Sequence, residues 1–282
     1  MTLSSAKDKL KHLVLLSATG EVNSRMRAIE TYNRLRRFLA KASGAASANP
    51  RPLPLEICRW QGFDVVIRRG TVDRESLEWM SHSEFWSAFE SFAISDDSVV
   101  LDLGAHLGSF SLLAARQRRC RVFAFEPDAE SLKLCKVNVA LNQLDELIRP
   151  LPFAAGGETR FVQLYETSEN WGHTTVSSGG AFNIPTGRSA QVECLSLEDA
   201  LCAAAADECA FMKFNIEGAE FDLIEKADLR VLRRIAVMAG EVHLDLGARK
   251  PEPMIDRLRQ ADFEVELVRA SEHRAVLIGR RQ

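Results

Sequence analysis

Apolar residues recur with two different periods along this chain, and the change of period divides it. From about Ser5 to Ala40 they fall at helix-like spacing: Leu10, Leu13 and Val14, then Ile29, Tyr32, Leu35 and Leu39. That is the pattern of amphipathic helix. The stretch ASGAASANPRPLP (Ala42 to Pro54) is rich in small residues and proline and reads as a linker. A short β-like piece, FDVVIRRG, precedes a helical segment running through ESLEWMSHSEFWSAFESF. Residues 1–95 are therefore expected to form a mainly helical cap, and 96–282 the principal domain.

From Ser98 onward strand-like and helix-like runs alternate. VVLDLG, RVFAFEP, IRPLPFAAG, AFMKFNIEG and RIAVMAGEVHL read as five strands, with SFSLLAARQ and AESLKLCKVNVALNQ as the helices after the first two. FEVELV and RAVLIG, separated by RASEH, fit a closing antiparallel hairpin. The expected fold is an α/β three-layer sandwich with a mostly parallel, seven-stranded sheet. Between the third and fourth strands, the polar, glycine-rich segment Gly156 to Gly187 is expected to be a long loop at the ligand-binding face.

Composition narrows the function classes. Apolar residues make up 46% and charged residues 27%, with a net charge of −3, so no basic surplus suggests a nucleic-acid partner. Six cysteines are scattered without a CxxC pair, which points to a reducing compartment, the cytoplasm. LKHLVLLSATGE is too short and interrupted to span a membrane, and a charged amphipathic segment follows where a signal peptide would end. The N-terminal helix could serve as an intrachain cap or as a homodimer contact.

Candidate chemistry begins at LDLGAHLGSF (Leu101 to Phe110). A strand ends in Asp102, and Gly104 and Gly108 flank a turn into a helix, where missing Cβ atoms let backbone approach a ligand. In open α/β sheets ligands bind beyond the carboxyl ends of the strands. The GxGxxG spacing of nicotinamide-dinucleotide folds is absent. An acid aimed at the loop would oppose a pyrophosphate on a helix N-terminus. It suits S-adenosylmethionine, which carries a sulfonium and an amino group. Glu126, at the end of FAFEPD, can accept from both ribose hydroxyls.

These motifs, in order, resemble the FkbM family of S-adenosylmethionine-dependent methyltransferases. The resemblance runs from RRGTVD (Arg68 to Asp73) through LDLGAHLGSFSLLAA, VFAFEPDAESLKLCKVNVALN, LPFAAGG, VECLSLEDAL and MKFNIEGAE to GEVHL. It implies a class I, Rossmann-like methyltransferase fold and transfer of a methyl group, typically to a hydroxyl of a sugar, polyketide or other small natural product. Cofactor contacts are then expected from Asp102, Gly104, Ala105, His106 and Gly108 in the first loop, Glu126 and Pro127 after the second strand, and Ala154 and Asn215 beyond. Asn215 stands where the family usually has aspartate, and His106 where asparagine is frequent.

A hydroxyl acceptor must lose its proton, so a base or metal is needed beside it. Glu217, Glu241 and His243, at the ends of the fourth and fifth strands, are the candidate catalytic residues. Histidine attracts attention as a base because its ordinary pKa is about 6.5. Lys213 is expected to pair with Glu217 or Glu241. On the acceptor side the candidates are Trp171, His173, Thr174 and Glu220, the family's N-x-G-x-S/T element matching Asn170, Gly172 and Thr174. No compact motif demands a metal, although Glu217, Glu241 and His243 would suit a divalent cation. A carboxylate or amine acceptor, a nicotinamide-dependent dehydrogenase and a non-catalytic binding module are the alternatives.

Overall fold

The computed structural model describes residues 54–167, 172–176, 185–246, 249–269 and 271–282. The expectations for residues before Pro54, and for Asn170 and Trp171, lie outside them.

Seven strands form the central sheet: β3 (Val99–Leu103), β4 (Arg121–Phe125), β5 (Ile148–Leu151), β9 (Cys209–Phe214), β10 (Ile235–His243), β11 (Phe263–Arg269) and β12 (Arg274–Arg281). Their spatial order is β11-β12-β10-β9-β3-β4-β5. Neighbours from β5 to β10 run parallel, whereas β12 is antiparallel to both β10 and β11. This is the mostly parallel, seven-stranded α/β sandwich expected from sequence, closed by its antiparallel terminal hairpin. Pro150 sits in β5 at the sheet edge, where a residue without an N–H costs no ladder bond.

Successive side chains of a strand point to opposite faces, and here both faces are apolar, as a covered parallel sheet requires. Val100, Val122, Phe211 and Val237 enter one core; Leu101, Phe123, Met212 and Met238 enter the other. The first core is covered by α1 (Asp73–Met80), α2 (Glu84–Ser91), α3 (Ser109–Arg118) and α4 (Ala129–Leu141). The second is covered by α5 (Leu197–Ala203), α6 (Glu220–Glu225), α7 (Leu229–Leu232) and α8 (Glu252–Gln260).

Residues 55–91 are thus built into the first layer. They open with a hairpin, β1 (Leu55–Trp60) and β2 (Phe63–Arg68), of which only the second strand is expected from sequence. Asn138 and Asn142 of α4 and its C-cap hold this hairpin through backbone bonds to Val66 and Asp64. In α2, Phe89 meets Phe110 and Phe211 edge-to-face at 5.3 and 5.1 Å. The single helix expected through ESLEWMSHSEFW is divided because Ser83 adopts extended backbone and caps α2, accepting from the Trp86 N–H.

The segment expected as one long loop departs from that reading at both ends. β7 (Arg160–Thr167) and β8 (Pro185–Leu195) pair antiparallel, and β6 (Ala154–Ala155) joins β8 in a separate three-stranded sheet. β6 does not continue β5, because Pro152 between them has no N–H to extend the ladder. No helix among the described residues is long and apolar enough to cross a membrane.

Candidate functional site

The loop after β3 is shaped by close backbone approaches. Gly104 has φ +77°, and a Cβ there would stand 1.9 Å from the Asn215 carbonyl oxygen, so no other residue fits. A Cβ on Gly108, φ +83°, would stand 2.8 Å from Cys135 Sγ. The glycine therefore packs α3 against α4 and does not face the cavity, a correction to its expected ligand contact. Asp102 is corrected in the same way. It is wholly buried beneath the loop, accepting from Ser111 Oγ at 2.7 Å and facing Lys213 Nζ at 3.0 Å. Lys213 also donates to the Gly104 carbonyl at 2.7 Å. Its partner is thus Asp102, not Glu217 or Glu241, because the parallel register of β3 and β9 places the two opposite each other.

Glu126 ends the second strand as a buried acid. Its Oε2 accepts from His106 N at 2.7 Å and its Oε1 from Asp128 N at 2.8 Å. Burial, with Asp128 nearby, pushes its pKa up to about 7 against the restraint of those two N–H donors. His106 itself has φ +50°, which aims its ring toward the N-terminal hairpin. There Arg68 Nη2 lies 2.8 Å from His106 Nε2 and 3.0 Å from Asp73 Oδ1. Arg68 Nε reaches Asp73 Oδ2 at 2.9 Å, and the guanidinium also touches Ser131 Oγ. Burial raises Asp73 but is outweighed by His106 and Arg68, which leave its carboxyl well below the usual range. Burial lowers His106, and because a guanidinium N–H can only donate, His106 Nε2 is the acceptor of the Arg68 bond. This clamp joins the start of α1, the glycine loop and the first turn of α4.

At the ends of β9 and β10 the chain makes an unusual turn. Glu217 and Gly218 both have positive φ, +51° and +100°; for Glu217 this is a strained conformation of the kind that gathers at functional sites. The Thr174 hydroxyl donates to the Glu217 carbonyl and holds the turn from the far side. Beneath it, His243 is completely buried with Nδ1 3.0 Å from Glu220 Oε1 and Nε2 3.0 Å from Glu217 Oε2. Glu220 also accepts from the His243 and Gly218 backbone N–H groups, at 2.6 and 2.8 Å. Burial opposes charge on His243, yet Glu217 and Glu220 together hold its pKa well above the ordinary value. Glu241 lies at the cavity wall, with Oε1 3.5 Å from Arg274 Nε, and burial raises its pKa.

These elements enclose a cavity of about 390 Å³, within the range of small-molecule sites. Of the expected residues it brings together Gly104, Ala105, His106, Glu126, Pro127, Ala154, His173, Asn215, Glu217 and Glu241. Asp102, Gly108, Thr174, Glu220 and His243 stand behind that lining. Sequence reasoning missed a whole wall, the face of α1 with Val72, Glu75, Ser76, Trp79 and Met80. The spacing of these residues, at i, i+3, i+4, i+7 and i+8, was the available signal.

Several solved methyltransferase structures share partial likeness with this chain. Precorrin-6y C5,15-methyltransferase from Geobacter metallireducens GS-15 is 13% identical, with 70% of this chain and 87% of that one covered and a TM-score of 0.42. Trm5b from Pyrococcus abyssi is 16% identical, with 83% and 57% covered and a TM-score of 0.45. The N-terminal domain of human METTL16 in complex with SAH is 15% identical, with 93% and 87% covered and a TM-score of 0.41. No curated protein matches the sequence. The methyltransferase FkbM domain, by contrast, matches residues 102–265, more than half of the chain, from the acid under the glycine loop to the closing hairpin. The chain therefore belongs to the FkbM methyltransferase family, and S-adenosylmethionine is its cofactor.

Proposed function

We propose that the protein methylates a hydroxyl group of a small, uncharged molecule. The observation that carries this reading is the carboxylate pair Glu217 and Glu241 on the cavity wall, with the buried His243 behind it. A hydroxyl is a poor nucleophile until a base takes its proton, and a carboxylate raised by burial is better matched to that task than an ordinary one.

The residues present fit the cofactor. The Gly104 cradle leaves bare backbone where a Cβ would collide, and Glu126 supplies a buried acceptor for the ribose hydroxyls. When bound, S-adenosylmethionine supplies an electrophilic methyl group on a sulfonium. Lys213 orders the loop by tying the Gly104 carbonyl to Asp102. Asn215 donates its backbone N–H to Leu103 O at 3.0 Å and so fixes the carbonyl that a Cβ on Gly104 would meet.

The three expected catalytic groups divide their labour. Glu241 takes the acceptor proton. Glu217 orients the hydroxyl, its strained backbone held by Thr174. His243, set behind the lining with its ring nitrogens 3.0 Å from Glu220 and Glu217, positions Glu217. That replaces the expectation that His243 is the base. The expected substrate contact of Glu220 likewise becomes a structural one, since it anchors His243.

Charge argues against anionic acceptors. Among the described residues, the cavity is lined by the acids Glu75, Glu126, Asp128, Glu217 and Glu241 and by one lysine, Lys213, whose ammonium already faces Asp102. Burial lowers both lining histidines, His106 and His173. A phosphodiester or a carboxylate would meet like charge here, while a sulfonium is favoured.

Assay of wild type and Glu241→Gln with neutral alcohols and with carboxylic acids, reading S-adenosylhomocysteine release, tests the reading. Alcohol turnover should fall by about 10²- to 10⁴-fold in the variant. Carboxylates methylated faster than alcohols, or a variant with unchanged turnover, would overturn it.

A further inference from the structure

We propose that the cavity-facing side of α1 is the acceptor subsite, with the indole of Trp79 as the platform on which an uncharged, hydroxyl-bearing ring is laid. The inference rests on the methyltransferase reading above and assigns the residue that selects the acceptor.

Trp79 is 42% exposed, whereas Trp60 and Trp86 are 3% and 7% exposed. An indole left open to water forgoes the burial that normally places this side chain in a core. It nonetheless has a fixed neighbour: its ring meets Phe85 edge-to-face at 5.0 Å and 75°, and Phe85 is wholly buried. A solvent-open aromatic braced from one side at a cavity wall is partly pre-organised for stacking.

Its neighbours on the helix set the rest of the chemistry. Glu75 precedes Trp79 by four residues and lines the same cavity, so a carboxylate stands one turn from the indole face. Leu164, His173 and Thr175 line the same cavity. His173 Nδ1 accepts from the Thr167 N–H at 3.3 Å. This leaves Nε2–H as the donor of its neutral ring. An apolar platform, a carboxylate acceptor and an uncharged donor suit a ring with hydroxyl groups at its edge. The acid-rich lining opposes the same ring carrying a carboxylate.

The test uses the full chain with methyl α-D-glucopyranoside and catechol as neutral saturated and aromatic rings. Glucuronic acid and protocatechuic acid are their carboxylated counterparts. Neutral rings should exceed their acids in kcat/KM by about tenfold or more. Trp79→Ala should raise the acceptor KM about tenfold with kcat and cofactor Kd little changed, and Trp79→Phe should retain most affinity. An unchanged KM in Trp79→Ala, or preference for either acid, overturns the subsite while leaving the methyltransferase reading intact. If none of the four is methylated, each is titrated against the complex with S-adenosylhomocysteine and followed by tryptophan fluorescence. Quenching by a neutral ring that is lost in Trp79→Phe supports the platform; quenching that survives the substitution, or its absence with both neutral rings, overturns it. A wild-type protein that binds no S-adenosylmethionine defeats the underlying reading instead.

Discussion

Lys213 and Asp102 are opposed residues on neighbouring parallel strands, ammonium to carboxylate at 3.0 Å, and both are essentially excluded from solvent. The pair lies directly under the glycine loop, and the lysine's other bond goes to the Gly104 carbonyl. The charges in KFNIEGAE thus serve three purposes: Lys213 holds the cofactor loop from below, Glu217 faces the cavity, and Glu220 anchors His243.

Removing one partner of a buried ion pair strands the other. Lys213→Met should therefore cost about 3–5 kcal/mol in urea unfolding, and Asp102→Asn a similar amount. The double variant should be more stable than the two losses summed, because no unpaired charge remains. Strict additivity would show that the two groups do not interact.

The backbone of this site was largely legible in sequence. Strand ends at Leu103, Phe125 and Phe214 follow from apolar runs that stop at a glycine or a polar residue, and the closing hairpin follows from FEVELV and RAVLIG. What could not be read was which way side chains turn. Asp102 and Lys213 share a register that only strand pairing fixes. His243 ends an apolar strand like a base but is enclosed by Glu217 and Glu220 from a loop 23 residues or more away. The α1 wall was missed because Val72, Trp79 and Met80 at helical spacing read equally well as a face turned to the core, and only the packing of α1 beside the glycine loop puts them at the cavity. β7 and β8 were missed because RFVQLYET is mostly polar or half-exposed, and an outlying small sheet needs little apolar alternation.

Gly104→Ala should separate cofactor binding from folding. The added methyl group would fall 1.9 Å from the Asn215 carbonyl oxygen in a left-handed conformation, so the loop must move away from β9. Calorimetric titration with S-adenosylmethionine should show at least about a tenfold weaker Kd, with the far-UV spectrum of a folded α/β protein. Wild-type affinity would show that the cofactor does not use this cradle.

Glu126 predicts a pH dependence of opposite sign for binding and for stability. Its pKa in the cofactor-free protein is about 7, above the ordinary value. Ribose hydroxyls donate to the ionised form and lower that pKa, so cofactor binding expels a proton below pH 7. Affinity should fall as pH drops through about 7, by at most about tenfold per unit. For the empty protein the sign reverses: the contribution of a group with a raised pKa is present at low pH and lost as pH rises through about 7. Glu126→Gln should flatten both profiles, measured as Kd and as Tm from pH 5.5 to 8.5. A Kd that is flat across this range in the wild type would remove Glu126 from the ribose.

His243 allows the sharpest separation between base and positioning group. Its folded pKa is raised well above 6.5 by Glu217 and Glu220 despite burial. The stability it contributes is fully present below about pH 6.5 and is lost as pH rises through the raised value. His243→Gln keeps a hydrogen-bonding side chain but leaves two buried carboxylates without their cation. It should therefore unfold about 3–5 kcal/mol more easily at pH 6, with the gap narrowing at alkaline pH where the wild-type imidazolium is itself lost. In kinetics a positioning role leaves the acidic limb of kcat/KM governed by Glu241, so that limb should persist in His243→Gln at reduced height and vanish in Glu241→Gln. If the acidic limb disappears with His243 and survives in Glu241→Gln, the histidine is the base after all, and the charge it carries in the empty site must be relinquished when the acceptor binds.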